Sequence, residues 1–309
     1  MRLLLHDSLA TLPLVEPLRA GWVDTAGIEV VFDPDLTAGR VGSEDVALIP
    51  SGELTMLGGR FQVVPDIGVI ADGAGPVSLR VPVRPDEIEV TPVRLLDVGS
   101  TAEILARAVL RPYFGIEASR WTRKVDPDAQ AVVIEGEAAL VEPEGGFAED
   151  LCRAWFIMTG QAAVLHVLIA PIGMERSVLE PVLTLFNAAQ KVDKGQRREM
   201  RRPVAERVGM TTEQINAFFE RLFFSLEADD LDSLEQMLRR GVPGSAFSDP
   251  GPLTFMLSPL TAVVEDDEDD EDDEDDEDEA GFVPDDETED DDADRTGTDD
   301  ALGEDEPRR

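Results

Sequence analysis

The sequence predicts a two-lobed α/β protein with a helical C-terminal portion, and three observations lead to this prediction. Short apolar runs alternate with helix-compatible stretches over the first half of the chain, as in a mainly parallel sheet covered by helices on both faces. A second sheet unit is entered near residue 75 and left near residue 164. After Pro171 the sequence becomes wholly helical and returns the chain to the first unit. The predicted first lobe therefore comprises residues 1–74 and 165–259, and the second lobe comprises residues 75–164.

The first lobe is predicted to build its sheet from short buried runs. An apolar strand opens the chain and is followed by a helix that carries Pro13 in its opening turn. The strand that ends before Pro50 is followed at once by another helix. The predicted strands cover residues 2–5, 28–32, 46–49, 61–64 and 67–70, and the predicted helices cover residues 11–20 and 52–57.

The second lobe is predicted to alternate strands with helices. Apolar residues at every second position over residues 77–83 predict a one-sided strand, whose Ser78 and Arg80 face points away from the core. Ser100 and Glu103 have the spacing of a capping box at the start of a helix. Further strands are predicted at residues 93–96 and 131–134, and a helix at residues 149–158 that ends at Gly160. A strand predicted at residues 164–170 then leads the chain back into the first lobe.

The last third of the chain is predicted to contain four helices and then an acidic tail. The helices cover residues 175–190, 197–208, 212–226 with Thr212 as cap, and 231–240. Residues 265–279 are consecutive acids, which cannot bury enough apolar surface to offset their ordering entropy. Residues 260–309 are therefore predicted to be disordered. A solubilising brush is the simpler interpretation of this tail, and docking to a basic protein partner or loose cation binding is the sharper one.

The charge of the chain excludes some classes of partner. The formal net charge is -39, and 28 of the 66 acidic residues lie from Glu265 onward. No basic stripe is present to neutralise phosphates, so no nucleic-acid partner is predicted. The first apolar run stops at His6, too early for a secretory signal, and no apolar stretch reaches transmembrane length. A cytoplasmic protein without membrane contact is predicted.

Cysteine and histidine are too few for disulfides or for metal cages built from them. Cys152 is the single cysteine, and His6 and His166 are the two histidines. No metal site is predicted, although a site made of carboxylates alone stays open. A lone histidine on an apolar strand, such as His166, is more often a hydrogen-bonded core residue than a catalyst, although its pKa range would suit acid–base work.

Two strand-to-helix junctions carry the strongest functional signal. Residues 45–54 and 95–103 each contain an apolar run that stops at a small hydroxyl residue, followed at once by a helix-compatible stretch. The free N–H groups of such a helix, its partial positive end and the hydroxyl form a site for a carboxylate or phosphate. The hydroxyl residues are Ser51, Ser100 and Thr101, and simple helix capping is the alternative interpretation. Both junctions are expected to face one cleft between the lobes, at the carboxyl ends of strands.

Six stretches in a characteristic order carry a resemblance to a known family. They are residues 9–14, 45–53, 72–77, 99–115, 135–140 and 150–160. On these stretches the chain, from about residue 2 to residue 250, resembles the menaquinone-biosynthesis family of the futalosine route and, within it, the chorismate dehydratase branch. The resemblance implies the type 2 periplasmic-binding-protein fold, here without secretion.

The activity implied by the resemblance is that of a lyase. Such an enzyme removes water from chorismate to give 3-[(1-carboxyvinyl)oxy]benzoate, and it uses no organic cofactor. Its substrate is a small dicarboxylate, which helix ends and an arginine could bind. The resemblance and the junctions together predict substrate contacts at Ser51, Ser78, Arg80, Ser100 and Thr101. Three further candidates are Thr11, Glu137 and His166, and the catalytic residue stays unassigned.

Two departures from the family pattern leave the activity open. The family's asparagine in its Leu-Asn-Thr-type motif falls on Ala10, and the arginine of its Ser-Arg-Thr turn falls on Ser100. One hypothesis is therefore a chorismate dehydratase-like lyase with a modified site. The alternative is a catalytically inactive paralogue that binds a small aromatic or cyclic carboxylate. The sister enzyme of the route, dihydroxynaphthoate synthase, ranks last because residues 45–51 fit the dehydratase branch better.

Overall fold

The protein, seen here as a computed structural model that describes residues 1–257, contains two β-sheets surrounded by helices. Its strands are β1 (Arg2–His6), β2 (Glu29–Asp33), β3 (Val46–Pro50), β4 (Phe61–Ala71), β5 (Val77–Val81), β6 (Val90–Leu96), β7 (Glu117–Thr122), β8 (Ala131–Glu135), β9 (Phe147–Asp150), β10 (Ala163–Pro171) and β11 (Leu222–Phe223). Its α-helices are α1 (Leu12–Arg19), α2 (Ser100–Phe114), α3 (Glu137–Leu140), α4 (Leu151–Thr159), α5 (Arg176–Val208), α6 (Thr212–Phe219) and α7 (Ala228–Gly241). Short 3-10 helices span Ala38–Arg40, Ser51–Met56 and Pro85–Glu87. The predicted acidic tail, residues 260–309, lies outside the described residues.

The first sheet has six strands in the order β11-β4-β10-β3-β1-β2. β1 lies parallel to β2 and β3, whereas β10 lies antiparallel to β3 and β4, and β11 lies antiparallel to β4. The prediction of a mainly parallel sheet is therefore wrong here, and the sheet is mixed. The reason is that β10 returns from the second sheet and enters between β3 and β4 in the opposite direction.

The second sheet has five strands in the order β7-β6-β8-β5-β9. β6 lies parallel to β7 and β8, and β5 lies antiparallel to β8 and β9. Its strands all come from residues 77–150, whereas the first sheet takes its strands from residues 2–71, 163–171 and 222–223. This division supports the predicted lobe boundaries near residues 74 and 164, which stay a proposal.

β4 is one strand where the sequence predicts two. Val167 and Leu168 of β10 pair with Gly68 and Val64, so residues 65–67 form a bulge between consecutive partners. Pro65 has no N–H to give to the ladder, and a bulge makes that donor unnecessary. The strand therefore continues through a proline that the sequence suggests as a break.

Helix starts agree with the sequence in some places and not in others. α4 has Asp150 as its N-cap, whose carboxylate accepts hydrogen bonds from two N–H groups of the first turn, and its C-cap is Gly160 in the left-handed conformation, the stop that the sequence predicts. α2 is different, because Gly99 is its N-cap and Ser100 is already helical, with no side-chain cap. The predicted capping box of Ser100 and Glu103 is therefore wrong. The predicted helix after β3 is a six-residue 3-10 helix.

α5 joins two predicted helices across a break. Gln196 has non-helical dihedral angles, with φ -116° and ψ 21°. A buried ion pair bridges this break, since a guanidinium nitrogen of Arg201 lies 3.2 Å from a carboxylate oxygen of Asp193. Arg201 also donates a hydrogen bond to the side chain of Asn216 in α6 (3.1 Å).

The remaining differences concern short elements. The sequence does not predict β7, β9, β11 or α3, and α6 is capped by Thr211 and ends at Phe219 rather than near residue 226. The two sheets share one continuous apolar core, with α1 packed on α5 and α2 packed on α7 and α4. None of the helices within residues 1–257 combines the length and apolar character needed to cross a membrane.

Candidate functional site

A cavity of about 530 Å³ lies where strands of both sheets end, and we call it the strand-end cavity. Its walls come from residues that follow β1, β2, β3, β6 and β8 at their carboxyl ends, together with Pro76. This is the position at which open α/β sheets bind ligands. Its lining comprises His6, Asp7, Ser8, Leu9, Ala10, Pro34, Asp35, Leu36, Thr37, Pro50, Glu53, Pro76, Asp97, Val98, Gly99, Ser100, Glu135, Gly136 and Glu137.

The strand-end cavity is strongly acidic. Six carboxylates line it and no lysine or arginine does; the acids are Asp7, Asp35, Glu53, Asp97, Glu135 and Glu137. Asp7 forms an ion pair with Arg19, and Glu137 pairs with Arg207 at 2.5 Å, so both neutralising arginines come from outside the lining. The lining carboxylates therefore outnumber the arginines that pair with them, which favours a negative potential inside the cavity.

The two predicted junctions meet, and they bond to each other. The Ser51 hydroxyl donates to the backbone carbonyl of Val164 (2.6 Å), and the Gly52 N–H donates to Thr101 Oγ1 (3.0 Å). Thr101 Oγ1 in turn donates to the Leu165 carbonyl (3.2 Å), and the two hydroxyl oxygens lie 3.3 Å apart. Ser51 and Thr101 are buried and do not line the strand-end cavity. Their predicted role as ligand contacts finds no support in this placement, because their hydroxyls already make hydrogen bonds inside the protein.

The start of α2 is occupied by a carboxylate of the protein itself. The Gly99 N–H donates to Glu135 Oε2 (2.7 Å), so Glu135 takes a position that a ligand carboxylate would have used. Burial raises the pKa of Glu135, against the opposing effects of this hydrogen bond and of Arg123. Ser100 lines the cavity as predicted, and its buried hydroxyl makes no hydrogen bond within the described part of the chain.

Three other candidates lie away from the strand-end cavity. The Arg80 guanidinium donates to the backbone carbonyls of Ala139 (3.0 Å) and Val141, and Arg80 is not part of the cavity lining. Burial lowers the pKa of Arg80. Ser78 is buried in β5, and the Thr11 hydroxyl donates to the His6 carbonyl (2.6 Å). Their predicted contacts with a ligand find no support in this placement, whereas Glu137 does line the cavity.

A pair of histidines reaches from the lining into the core, and the sequence pointed to only one of them. His6 Nδ1 and His166 Nε2 are 2.8 Å apart, so one ring donates an N–H to the other. His6 lines the strand-end cavity, whereas His166 is buried and its Nδ1 has no partner in the described part of the chain. Burial lowers the pKa of His6 and lowers that of His166 well below its usual value, which favours the neutral form of both rings. The feature of the sequence that could have identified His6 as a site residue was its position at the end of the first strand.

Acidification is expected to destabilise the protein through this histidine pair. The folded state holds both pKa values below 6.5, so the unfolded chain takes up protons first as the pH falls. The histidine pair therefore leaves the free energy of unfolding unchanged above about pH 6.5. Below that pH it lowers the free energy of unfolding, by at most about 1.4 kcal/mol per pH unit for each imidazole. Urea unfolding at a series of pH values from about 7.5 to about 5.5 measures this loss.

The control for this prediction is His166→Leu, which removes one buried imidazole and retains an apolar side chain. Other titrating groups, such as Glu135, are common to both proteins and cancel in the comparison. The variant should lose less stability over the same pH range. Identical pH dependence in the two proteins would contradict the assignment.

Metal binding has no preformed site in the described part of the chain. Within residues 1–257, no three His, Cys, Asp or Glu side chains are grouped so that they could hold a metal ion. The carboxylates of the strand-end cavity thus share a space without converging on one point. Their common effect is the potential inside the cavity.

The chain is similar to one sequence family and to several solved structures. Residues 23–242 match the sequence profile of a family described as menaquinone biosynthesis. No curated protein matches the sequence significantly. Protein AF1704 from Archaeoglobus fulgidus has a TM-score of 0.55 at 14% identity, over 77% of this chain and 95% of that one.

Two similar structures are described as a binding protein and a transport protein. The periplasmic aliphatic sulphonate binding protein SsuA from Escherichia coli has a TM-score of 0.52 at 15% identity, over 87% of this chain and 97% of that one. A putative nitrate transport protein from Thermoplasma volcanium has a TM-score of 0.50 at 12% identity, over 82% and 96% of the two chains. At these identities the likeness shows the fold alone, and it confirms the predicted periplasmic-binding-protein fold.

Proposed function

Because the chain belongs to the menaquinone-biosynthesis family, we propose that it is a divergent member whose strand-end cavity binds a small molecule but does not dehydrate chorismate. The family recognised in the sequence is thereby confirmed, and the reaction is a separate question. The binding and transport proteins with this fold support a role in holding a small molecule. The observation that carries the proposal is the charge of the cavity.

Chorismate carries two carboxylates, and this cavity is a poor place for them. Two unit charges of the same sign about 6 Å apart repel each other by roughly 0.7–3 kcal/mol, depending on the screening. Six carboxylates line the cavity and no lysine or arginine does, although Asp7 and Glu137 are paired with arginines from outside the lining. The N–H of Gly99 is also engaged, since it holds Glu135. A dianion would therefore meet several unfavourable pairs and few free donors.

The positions of the two family departures support the same proposal. Ala10 and Ser100 both line the strand-end cavity, where the family resemblance places an asparagine and an arginine. A methyl group cannot polarise a leaving hydroxyl, and a serine cannot neutralise a carboxylate. Arg80, which the sequence predicted as a substrate contact, is bonded to backbone carbonyls elsewhere. The cavity therefore lacks both contacts.

The test of this proposal is a chorismate assay on the full-length protein. We expect no 3-[(1-carboxyvinyl)oxy]benzoate above the enzyme-free control, even at high protein concentration and after long incubation. Product would be followed by absorbance and by mass. The variants Ala10→Asn and Ala10→Asn/Ser100→Arg restore the family's residues one after the other, and gain of product in either would show that the cavity geometry is otherwise competent.

A chorismate dehydratase-like lyase with a modified site is the second candidate. The family match over residues 23–242 favours it, as does His6, whose imidazole lines the cavity and is a group able to exchange a proton with a bound molecule. Product formation by the unaltered protein, lost in His6→Gln, would establish this candidate and overturn the first.

A further inference from the structure

We infer that the protein has a second binding site, an aromatic pocket at the edge of the second sheet that takes a quaternary ammonium group. The aromatic pocket encloses about 370 Å³, and its lining includes three aromatic and three charged side chains: Tyr113, Phe114, Phe147, Arg84, Asp86 and Glu149. The strand-end cavity shares none of these residues, so the inference does not rest on the proposed function.

The aromatic pocket lies between the C-terminal end of α2 and the edge strand β9. Tyr113 and Phe114 are the last two residues of α2, and β9 is an outermost strand of the second sheet. Phe147 of β9 lies opposite the buried Val81 of β5, so it is on the same face of the sheet. Glu149 follows two residues later and lies on that face as well. The fold thus brings three rings and a carboxylate from two elements to one place.

The rings carry the inference. The Tyr113 and Phe114 rings are perpendicular, at 89°, with their centroids 4.8 Å apart. Tyr113 is 38% exposed and Phe147 is 42% exposed, so both rings have surface left to meet a ligand. The π face of an aromatic ring attracts a cation that lies within about 6 Å of its centre. Several rings around one space are the arrangement by which proteins recognise quaternary ammonium groups.

The charges around the aromatic pocket favour a cation. Glu149 is partly buried and forms no ion pair with a lysine or arginine of residues 1–257. Arg84 pairs with Asp86 (3.1 Å), so these two charges offset each other. The C-terminal end of α2 carries a partial negative charge, which the exposed Arg111 of its last turn opposes. The Glu149 carboxylate is therefore left to pair with a ligand.

A methylated cation suits this lining better than a primary ammonium does. A primary ammonium has three N–H donors, and a buried donor without an acceptor costs free energy. Glu149 is the one acid of the lining that has no cationic partner in the described part of the chain. A quaternary ammonium has no N–H to satisfy, and its methyl groups present apolar surface to the rings.

Choline and its neutral isostere 3,3-dimethyl-1-butanol test the charge of the ligand at constant shape. Ligand-observed NMR is carried out on the full-length protein in about 0.15 M NaCl, which screens the acidic tail. Choline should bind at least about fivefold more tightly than the alcohol. Equal binding would reveal a purely apolar pocket and overturn the inference. Absence of choline binding at about 10 mM would overturn it too.

Variants place the binding on the rings of the aromatic pocket. Tyr113→Phe keeps a ring and should retain choline affinity within about twofold, whereas Tyr113→Leu keeps only apolar bulk and should weaken choline by about fivefold. Phe147→Leu should act like Tyr113→Leu, and Glu149→Gln should weaken choline by about threefold. Choline affinity that is unchanged in both leucine variants would contradict the assignment.

The matched control is Phe223→Leu, which changes an aromatic residue that is 52% exposed and lies outside the lining. It should leave the affinities for choline and for the alcohol unchanged. The alcohol should also bind all the pocket variants within about twofold of the unaltered protein, because it makes no cation–π contact. Loss of choline affinity in Phe223→Leu equal to that in Tyr113→Leu would overturn the inference.

Two further measurements identify the occupant. Co-sedimentation with phosphatidylcholine vesicles presents the same group on a surface, and vesicle binding lost in Tyr113→Leu would make a lipid headgroup the source. Binding of free choline without vesicle binding would make the ligand a soluble molecule, and both results support the inference. Analytical ultracentrifugation tests for a second copy. A dimer that Phe147→Leu dissociates, in a protein that does not bind choline, would show an interface between copies and overturn the inference.

Discussion

Replacing Arg201 with methionine is expected to lower the free energy of unfolding by about 3–5 kcal/mol. Arg201 and Asp193 are both buried, and their ion pair spans the break in α5 at Gln196. Removing the guanidinium leaves the Asp193 carboxylate in the interior without its countercharge. Burial already raises the pKa of Asp193, so the variant should also protonate this group more readily. Urea unfolding followed by circular dichroism measures the loss.

Two further variants separate this ion pair from simple loss of packing. Arg202→Met changes the neighbouring arginine, which pairs with Glu206 on the exposed surface, and should shift stability by no more than about 0.5 kcal/mol. Arg201→Met/Asp193→Leu removes both charges and should regain a large part of the loss. A double variant as unstable as Arg201→Met would contradict an electrostatic origin.

Replacing Gly52 with alanine is expected to cost about 3 kcal/mol, because it forces the two junctions apart. A Cβ atom on Gly52 would lie 2.6 Å from the backbone carbonyl carbon of Ser100 and 2.6 Å from the backbone nitrogen of Thr101. Neither is the end of a flexible side chain, so the backbone itself must move. That movement would also strain the hydrogen bond from the Gly52 N–H to Thr101.

Gly145→Ala is the matched control for this prediction. The added Cβ meets nothing within 4 Å, and the residue does not need the left-handed conformation. Its stability should change by less than about 0.5 kcal/mol or rise slightly, because alanine restricts the unfolded chain. Thermal unfolding measures the stability of both variants. An equal loss in the two would show that the contact between the junctions does not cause the loss in Gly52→Ala.

Local signals were sufficient for many elements of the fold. β3 is buried along its whole length, and its unbroken apolar run predicted this. The end of α4 at Gly160 was predicted because a left-handed stop is a chemical property of a single residue, whereas its Asp150 cap was not predicted. Strand direction is different, since the antiparallel entry of β10 depends on the path of the chain through the second sheet. β11 has two residues and carries no readable period.

The candidate site was also predicted only in part from the sequence. The sequence predicted a ligand position at strand ends, and the strand-end cavity lies there with Ser100 and Glu137 in its lining. It did not identify His6, Asp97 or Glu135 as lining residues. Each of these follows or ends a strand, so strand ends read as a set would have pointed to them.

The sequence by itself determined the family, the α/β class and the buried strands, because these depend on the order of residues and on local periodicity. Only the tertiary structure decided how the two junctions are used. Ser51 bonds to Val164, and Gly99 bonds to Glu135, which are contacts between residues far apart in the chain. A hydroxyl or N–H binds a ligand only where no such partner is present, and the charge of a cavity is the sum over every chain segment that faces it.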